Sequence, residues 1–113
     1  MAVASNKFDD GTKNLIEHFF PDIRFVAVEG QKPGGPVKPN PQIVYAVLAA
    51  YGDNAPAMNE ILYVGDSDTD METAANLNIE SVGVTWGFRP REEIIAAGAC
   101  HIVDTPQEVL RYL

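Results

Sequence analysis

Residues 61–70, Ile-Leu-Tyr-Val-Gly-Asp-Ser-Asp-Thr-Asp, constrain the fold of this chain more than any other stretch. The first four are an apolar run of strand length, Gly65 interrupts it, and acids crowd the next five positions just as helical spacing begins. A strand that delivers acids to a helix start belongs to an open α/β sheet, where ligands bind beyond the carboxyl ends of the strands. Carboxylates packed this closely repel one another and lose solvation. A hard divalent cation with oxygen ligands, such as Mg²⁺, offsets both costs. Asp66 and Asp70 are therefore the candidate metal ligands. The alternation of Asp66, Asp68 and Asp70 imitates a calcium loop, but Met71 stands where that loop needs glycine and Leu77 where it needs a bidentate glutamate. Asp68 is explained by the helix dipole, which favours acids in the first turn.

The rest of the chain repeats the same strand-then-helix grammar. Residues 2–4 are a short apolar run, and residues 9–20 read as a helix with Thr12, Leu15, Ile16 and Phe19 inward. Residues 25–28 form a second strand, and residues 29–41 a loop broken by Pro33, Gly34, Gly35, Pro36 and Pro39. Asn40 caps the next helix, Pro41 opens it and Gly52 ends it, with Val44, Val47, Leu48 and Tyr51 on its core face. After the acidic run a helix extends to about Leu77, capped by Ser67 or Asp68, with Met71, Ala74 and Ala75 inward. Residues 81–85 are a strand, Pro90 opens a helix carrying Ile94 and Ile95 that Gly98 closes, and residues 101–103 are a last strand. Thr105-Pro106-Gln107-Glu108 has the form of a capping box with proline at its first helical position. Repeated βα units predict a parallel sheet with flanking helices, a three-layer α/β/α arrangement.

A length of 113 residues fits one domain, residues 1–113, able to bury a core without disulfides. The net charge of −8 argues against nucleic acid or an anionic membrane as partner, since either requires a basic patch. Cys100 is the only cysteine, so a reducing, cytoplasmic home is expected. No apolar run has the length of a membrane span, and residues 1–7 lack the apolar stretch of a signal peptide.

Three further constellations carry possible chemistry. Lys38 lies in Gly35-Pro36-Val37-Lys38-Pro39-Asn40-Pro41, where prolines stiffen the backbone and fix where the ammonium group points, toward a phosphate or a nucleophilic carboxylate. Ser5-Asn6-Lys7 follows the first strand, where hydroxyl and backbone N–H groups can hold a phosphate. Trp86-Gly87-Phe88-Arg89 follows the fourth strand and could wall the site as readily as form a packed aromatic turn. Asp9-Asp10-Gly11-Thr12 imitates a catalytic turn, but no apolar strand leads into it, and it reads as the cap and first turn of a helix. His18 and His101 have no metal-ligand spacing and read as structural, and Cys100 as a buried or half-buried small residue.

Taken in order, these segments resemble the haloacid dehalogenase-like hydrolases, and within them the phosphoglycolate phosphatase-like phosphatases. Ala2-Val3-Ala4-Ser5-Asn6-Lys7 is similar to the family's second motif, Val37-Lys38-Pro39-Asn40-Pro41 to its third and Val64-Gly65-Asp66-Ser67-Asp68-Thr69-Asp70 to its fourth. Val82-Gly83-Val84-Thr85-Trp86-Gly87 is similar to the strand and turn beyond it. The resemblance implies a Mg²⁺-dependent hydrolysis of a small phosphorylated metabolite through an aspartyl-phosphate. It implies that Ser5, with the Asn6 backbone, binds phosphate; that Lys38 holds the phosphate and nucleophile charge; and that Asp66 binds Mg²⁺ with Asp70 supporting or joining it.

The family's opening aspartate strand and its cap domain have no counterpart here. The expectation is a HAD-like, Rossmann-like sheet lacking its nucleophile-bearing central strand, a truncated core that is inactive alone. The strands at residues 2–4 and 61–64 would then present open apolar edges, which are pairing sites. They would pair with each other, with another copy, or with a complementing chain. The alternative is a non-catalytic fragment that binds metal or phosphate weakly or self-associates. A receiver-like phosphoacceptor is a weaker rival, because its acid pair would follow the first strand rather than the third.

Overall fold

The computed structural model describes every residue except Phe88. It divides into two compact units, Met1–Ala55 and Pro56–Leu113. In the first unit, β1 (Ala2–Phe8) pairs in parallel with β2 (Ala27–Gln31), joined by α1 (Asp9–Phe19), and α2 (Gln42–Ala49) follows. Both helices pack on the two strands. In the second unit the strand order is β3 (Leu62–Gly65), β4 (Glu80–Val84), β5 (His101–Val103), all parallel. Here α3 (Asp68–Asn76) packs on β3 and β4, α4 (Arg91–Ala96) on β4, and α5 (Pro106–Val109) on β5. Parallel strands with helical crossovers are the expected α/β architecture. Among the described residues the ladders join β1 only to β2 and β3 only to β4. Direct pairing of the first and third strands, one of three expected outcomes, is therefore not among them.

The strand β1 is longer than its apolar stretch. Ala2, Val3 and Ala4 face Ala27, Val28 and Glu29 in register, and the next pair is Phe8 with Gln31. Ser5, Asn6 and Lys7 thus lie opposite Gly30 alone, an irregularity that frees their backbone from a regular ladder. They lie within β1, not beyond it.

Several element ends follow their local chemistry. The Asn40 Oδ1 accepts from the Gln42 N–H at 2.9 Å, a turn that leads into α2, but the cap position is Pro41 and not Asn40 as expected. The Ser67 Oγ accepts from the Asp70 N–H at 3.3 Å, which makes Ser67, not Asp68, the cap of α3. The capping box at α5 does not form: the Thr105 hydroxyl donates to the Glu108 carboxylate at 3.1 Å instead of accepting a backbone N–H. Asp9 is not a cap either, and a strand does lead into it, since β1 runs on to Phe8. Phe8 precedes α1, and the Asp9 carboxylate turns to the Gly30 N–H at 2.9 Å and to Lys13 at 2.7 Å.

Most of the core lies in the second unit. Met71, Ala74, Val82 and Ile94 are fully buried, and Val82, Val84 and Val103 form its centre with Leu62, Val109 and Tyr112 packed around them. Three predicted faces are corrected. Ala75 is exposed and Thr73 is buried in its place, its hydroxyl satisfied by the Thr69 carbonyl at 2.7 Å. Ile95 is 51% exposed beside fully buried Ile94, since a six-residue helix presents only one narrow face. On α1, Thr12 is buried but Leu15 and Phe19 are exposed. Cys100 is also exposed, while its N–H donates to the buried Ser81 hydroxyl. His18 lies edge-on to Phe19, and His101 pairs with Glu80 and stacks on Tyr112, both structural placements.

Candidate functional site

The first unit gathers the candidate phosphate-binding residues. The Lys38 Nζ donates to the Ala4 carbonyl at 3.2 Å, beside Ser5 on β1. The Asn6 carboxamide spans the Lys38 backbone: Oδ1 accepts from the Lys38 N–H at 2.8 Å and Nδ2 donates to the Lys38 carbonyl at 3.4 Å. The peptide between Lys38 and Pro39 is cis. The Ser5 Oγ accepts from the Lys7 N–H at 3.1 Å, a tight turn within the irregular stretch of β1. A hydroxyl, a cation and backbone loosened from its ladder thus converge within one unit. The sequence pointed to the Asn6 backbone alone, and the side chain's hold on Lys38 is new.

The acidic loop belongs to the second unit. Gly65 ends β3 where the Asp70 carboxyl group lies against the strand, and any Cβ at position 65 would collide with it. The Asp70 Oδ2 accepts from the Asp66 N–H at 3.1 Å and from the Ser67 hydroxyl at 3.0 Å. Asp70 is 7% exposed and Asp66 half-buried. Asp70 therefore braces the loop, and Asp66 is its more accessible acid. The Asp66 carboxyl group in turn fills the space that Gly87 leaves, where a Cβ would collide with it. Of the predicted aromatic wall, Trp86 is exposed and Phe88 lies outside the described residues.

Tyr63 stands behind the loop on β3. Burial pushes its phenol well above the usual range, the Asp70 charge adds to the rise, and a hydrogen bond with Thr73 opposes it. The phenol stays neutral at any physiological pH. Sequence reading missed Tyr63, Ser67 as a loop bond and Gly87. The first two were legible in principle, because period-two alternation places Tyr63 on the face of Gly65 and Ser67 stands at a helix cap.

The donors of the loop are all oxygens, a set that suits Mg²⁺, which takes one or two carboxylates and completes its shell with water and substrate oxygens. Asp66 and Asp70 are the residues that could hold it. Among the described residues no group of three or more His, Cys, Asp or Glu side chains is arranged for a metal.

The family model for haloacid dehalogenase-like hydrolases matches residues 1–84, which include Ser5, Lys38 and the acidic loop. The chain belongs to the haloacid dehalogenase-like hydrolases. Within that family its relatives are of the phosphoglycolate phosphatase-like group. It is 32% identical to a phosphoglycolate phosphatase of Mesorhizobium japonicum over 80% of this chain and 39% of that protein. It is 30% identical to the phosphoglycolate phosphatase of Vibrio parahaemolyticus over 97% of this chain and 47% of that protein. A crystal structure of a candidate phosphoglycolate phosphatase from Lactobacillus delbrueckii subsp. bulgaricus superposes with a TM-score of 0.85 at 32% identity, covering 98% of this chain and 45% of that one. The chain thus spans less than half the length of these family relatives.

Proposed function

We propose that this chain is the C-terminal core portion of a Mg²⁺-dependent phosphomonoester hydrolase of the phosphoglycolate phosphatase type, acting on a small phosphorylated metabolite through an aspartyl-phosphate. The observation that carries the reading is the acidic loop, in which Asp70 braces the turn and Gly87 makes room for the Asp66 carboxyl group. Bound Mg²⁺ would neutralise phosphoryl oxygens. Asp66 would hold the ion and Asp70 would orient Asp66. Ser5 would donate to the phosphate, and Lys38 would place a positive charge against it. The chain alone is expected to be inactive. Asp9, the nearest imitation of a nucleophile, has its carboxylate engaged by Gly30 and Lys13. The edge of β3, where Val64 is 46% exposed, supports self-association or a complementing chain. No helix among the described residues is long and apolar enough to cross a membrane, and a cytoplasmic home agrees with the lone, exposed Cys100.

The test is hydrolysis of a generic phosphomonoester by the purified chain with Mg²⁺, set beside Asp66→Asn, together with calorimetric Mg²⁺ binding by both. Mg²⁺ binding that Asp66→Asn abolishes, without turnover above that control, is the expected result. Turnover lost in Asp66→Asn would place a nucleophile within this chain and overturn the inactivity. Mg²⁺ binding indifferent to Asp66→Asn would overturn the metal reading. A second reading is a non-catalytic module that binds metal or phosphate weakly or self-associates, and it draws on the Asp9 carboxylate being held by Gly30 and Lys13.

A further inference from the structure

We propose that the Asn6 side chain is the positioning residue for Lys38, a role that rests on the reading of Ser5 and Lys38 as phosphate-binding groups. A carboxamide carries an acceptor and a donor on one planar group. Asn6 turns both toward the same residue, its Oδ1 to the Lys38 N–H and its Nδ2 to the Lys38 carbonyl. An ionised carboxylate, which only accepts, could not make the second of these bonds. The two residues are 32 apart in sequence, so the carboxamide ties the proline-rich loop to β1. The ammonium group returns to the same strand, at the Ala4 carbonyl.

Lys38 is thus held at both ends, its backbone by Asn6 and its Nζ by Ala4. The flanking prolines, Pro36 and Pro39, restrict the loop's own dihedrals. They do not set where the loop stands against β1, and the carboxamide does. The irregular stretch of β1 makes this feasible: residues 5–7 face only Gly30 across the ladder, so the strand can turn the Asn6 side chain to the loop. A lysine is a point charge on a flexible four-carbon stem, and its value to an anion depends on where its backbone is fixed.

The test uses the ¹⁵N-labelled full chain titrated with inorganic phosphate, with Asn6→Ala, Lys38→Ala and the double variant. Asn6→Ala should weaken phosphate binding roughly three- to tenfold, the range of one or two hydrogen bonds. It should cause no further loss once Lys38 is alanine, because a residue acting through Lys38 has nothing left to act on. Exchange of the Lys38 amide should quicken in Asn6→Ala and stay slow in Asn6→Asp, which keeps the Oδ1 acceptor. A full Asn6→Ala loss in the Lys38→Ala background would overturn the proposal, since Asn6 would then meet the anion itself. Unchanged Lys38 exchange in Asn6→Ala would overturn it as well. If the unsubstituted chain binds no phosphate, the phosphate-site reading fails, and Lys38 exchange in the two Asn6 variants alone decides the clamp. Should Asn6→Ala not fold, rapid Lys38 exchange in Asn6→Asp would overturn the proposal and slow exchange would uphold it.

Discussion

A Cβ at Gly87 would collide with the Asp66 carboxyl group, so Gly87→Ala must displace one or the other. The expected cost is about 1–3 kcal/mol of stability, as for other overpacked sites. Mg²⁺ affinity should fall about 10- to 100-fold, the range seen when a ligand's support is lost. Urea unfolding and calorimetry check the two effects, and undiminished affinity would show that Asp66 does not bind from this position. Asp70→Ala removes the acceptor for the Asp66 N–H and the Ser67 hydroxyl and should cost about 1–3 kcal/mol. Asp70→Asn should recover part of that loss, because its carbonyl oxygen still accepts. Asp9 acts at acid pH. Its hydrogen bond with Lys13, then that with the Gly30 N–H, holds its carboxyl below the ordinary value of 3.8. A depressed folded-state value means that the contribution is complete above the unfolded value and is lost as pH falls through the folded one. Asp9→Asn should therefore flatten the part of the stability–pH curve below about pH 4, measured by urea midpoints. A curve of unchanged slope there would remove Asp9 from the account.

Neighbouring residues on one short helix separate what sequence pattern conveys from what it does not. Ile94→Ala should cost about 2–5 kcal/mol, because Ile94 is fully buried, whereas Ile95→Ala should cost under about 0.5 kcal/mol. Similar losses in chemical denaturation would mean that the α4 face is misassigned. The apolar pair announced a helix but not which member faces the strands, because a helix of six residues turns through less than two full turns. The same limit applies to Leu15 and Phe19, whose spacing fits an inward stripe although both are exposed. Among the described residues, five strands and five α-helices match the expected order, but β1 runs on to Phe8 and β2 lies at Ala27–Gln31, past the expected residues 25–28. The acidic loop was legible because its partners, Asp66, Ser67 and Asp70, are within one helical turn of each other. The links from Asn6 to Lys38 and from Gly87 to Asp66 were not, because only folding brings distant segments into contact.

Burial is unequal along the chain. The second unit fully buries Met71, Val82, Ile94 and Val103, while the first buries chiefly Ala27, Ile43, Val44 and Thr12. Amide hydrogen exchange should accordingly be slower in β3, β4 and α3 than in β1, β2 and α1. Equal protection throughout would show that something other than apolar burial holds the first unit. The open edge of β3 should also govern association: Val64→Lys, a charge on an exposed strand edge, should lower any self-association seen by sedimentation. A thin core has one more consequence. An anion bridging the Ser5 hydroxyl and the Lys38 ammonium would supply contacts that apolar packing does not, and would stabilise the folded form by mass action. Phosphate would then be a component of the first unit's architecture, and the melting temperature of that half would rise with each increment of ligand.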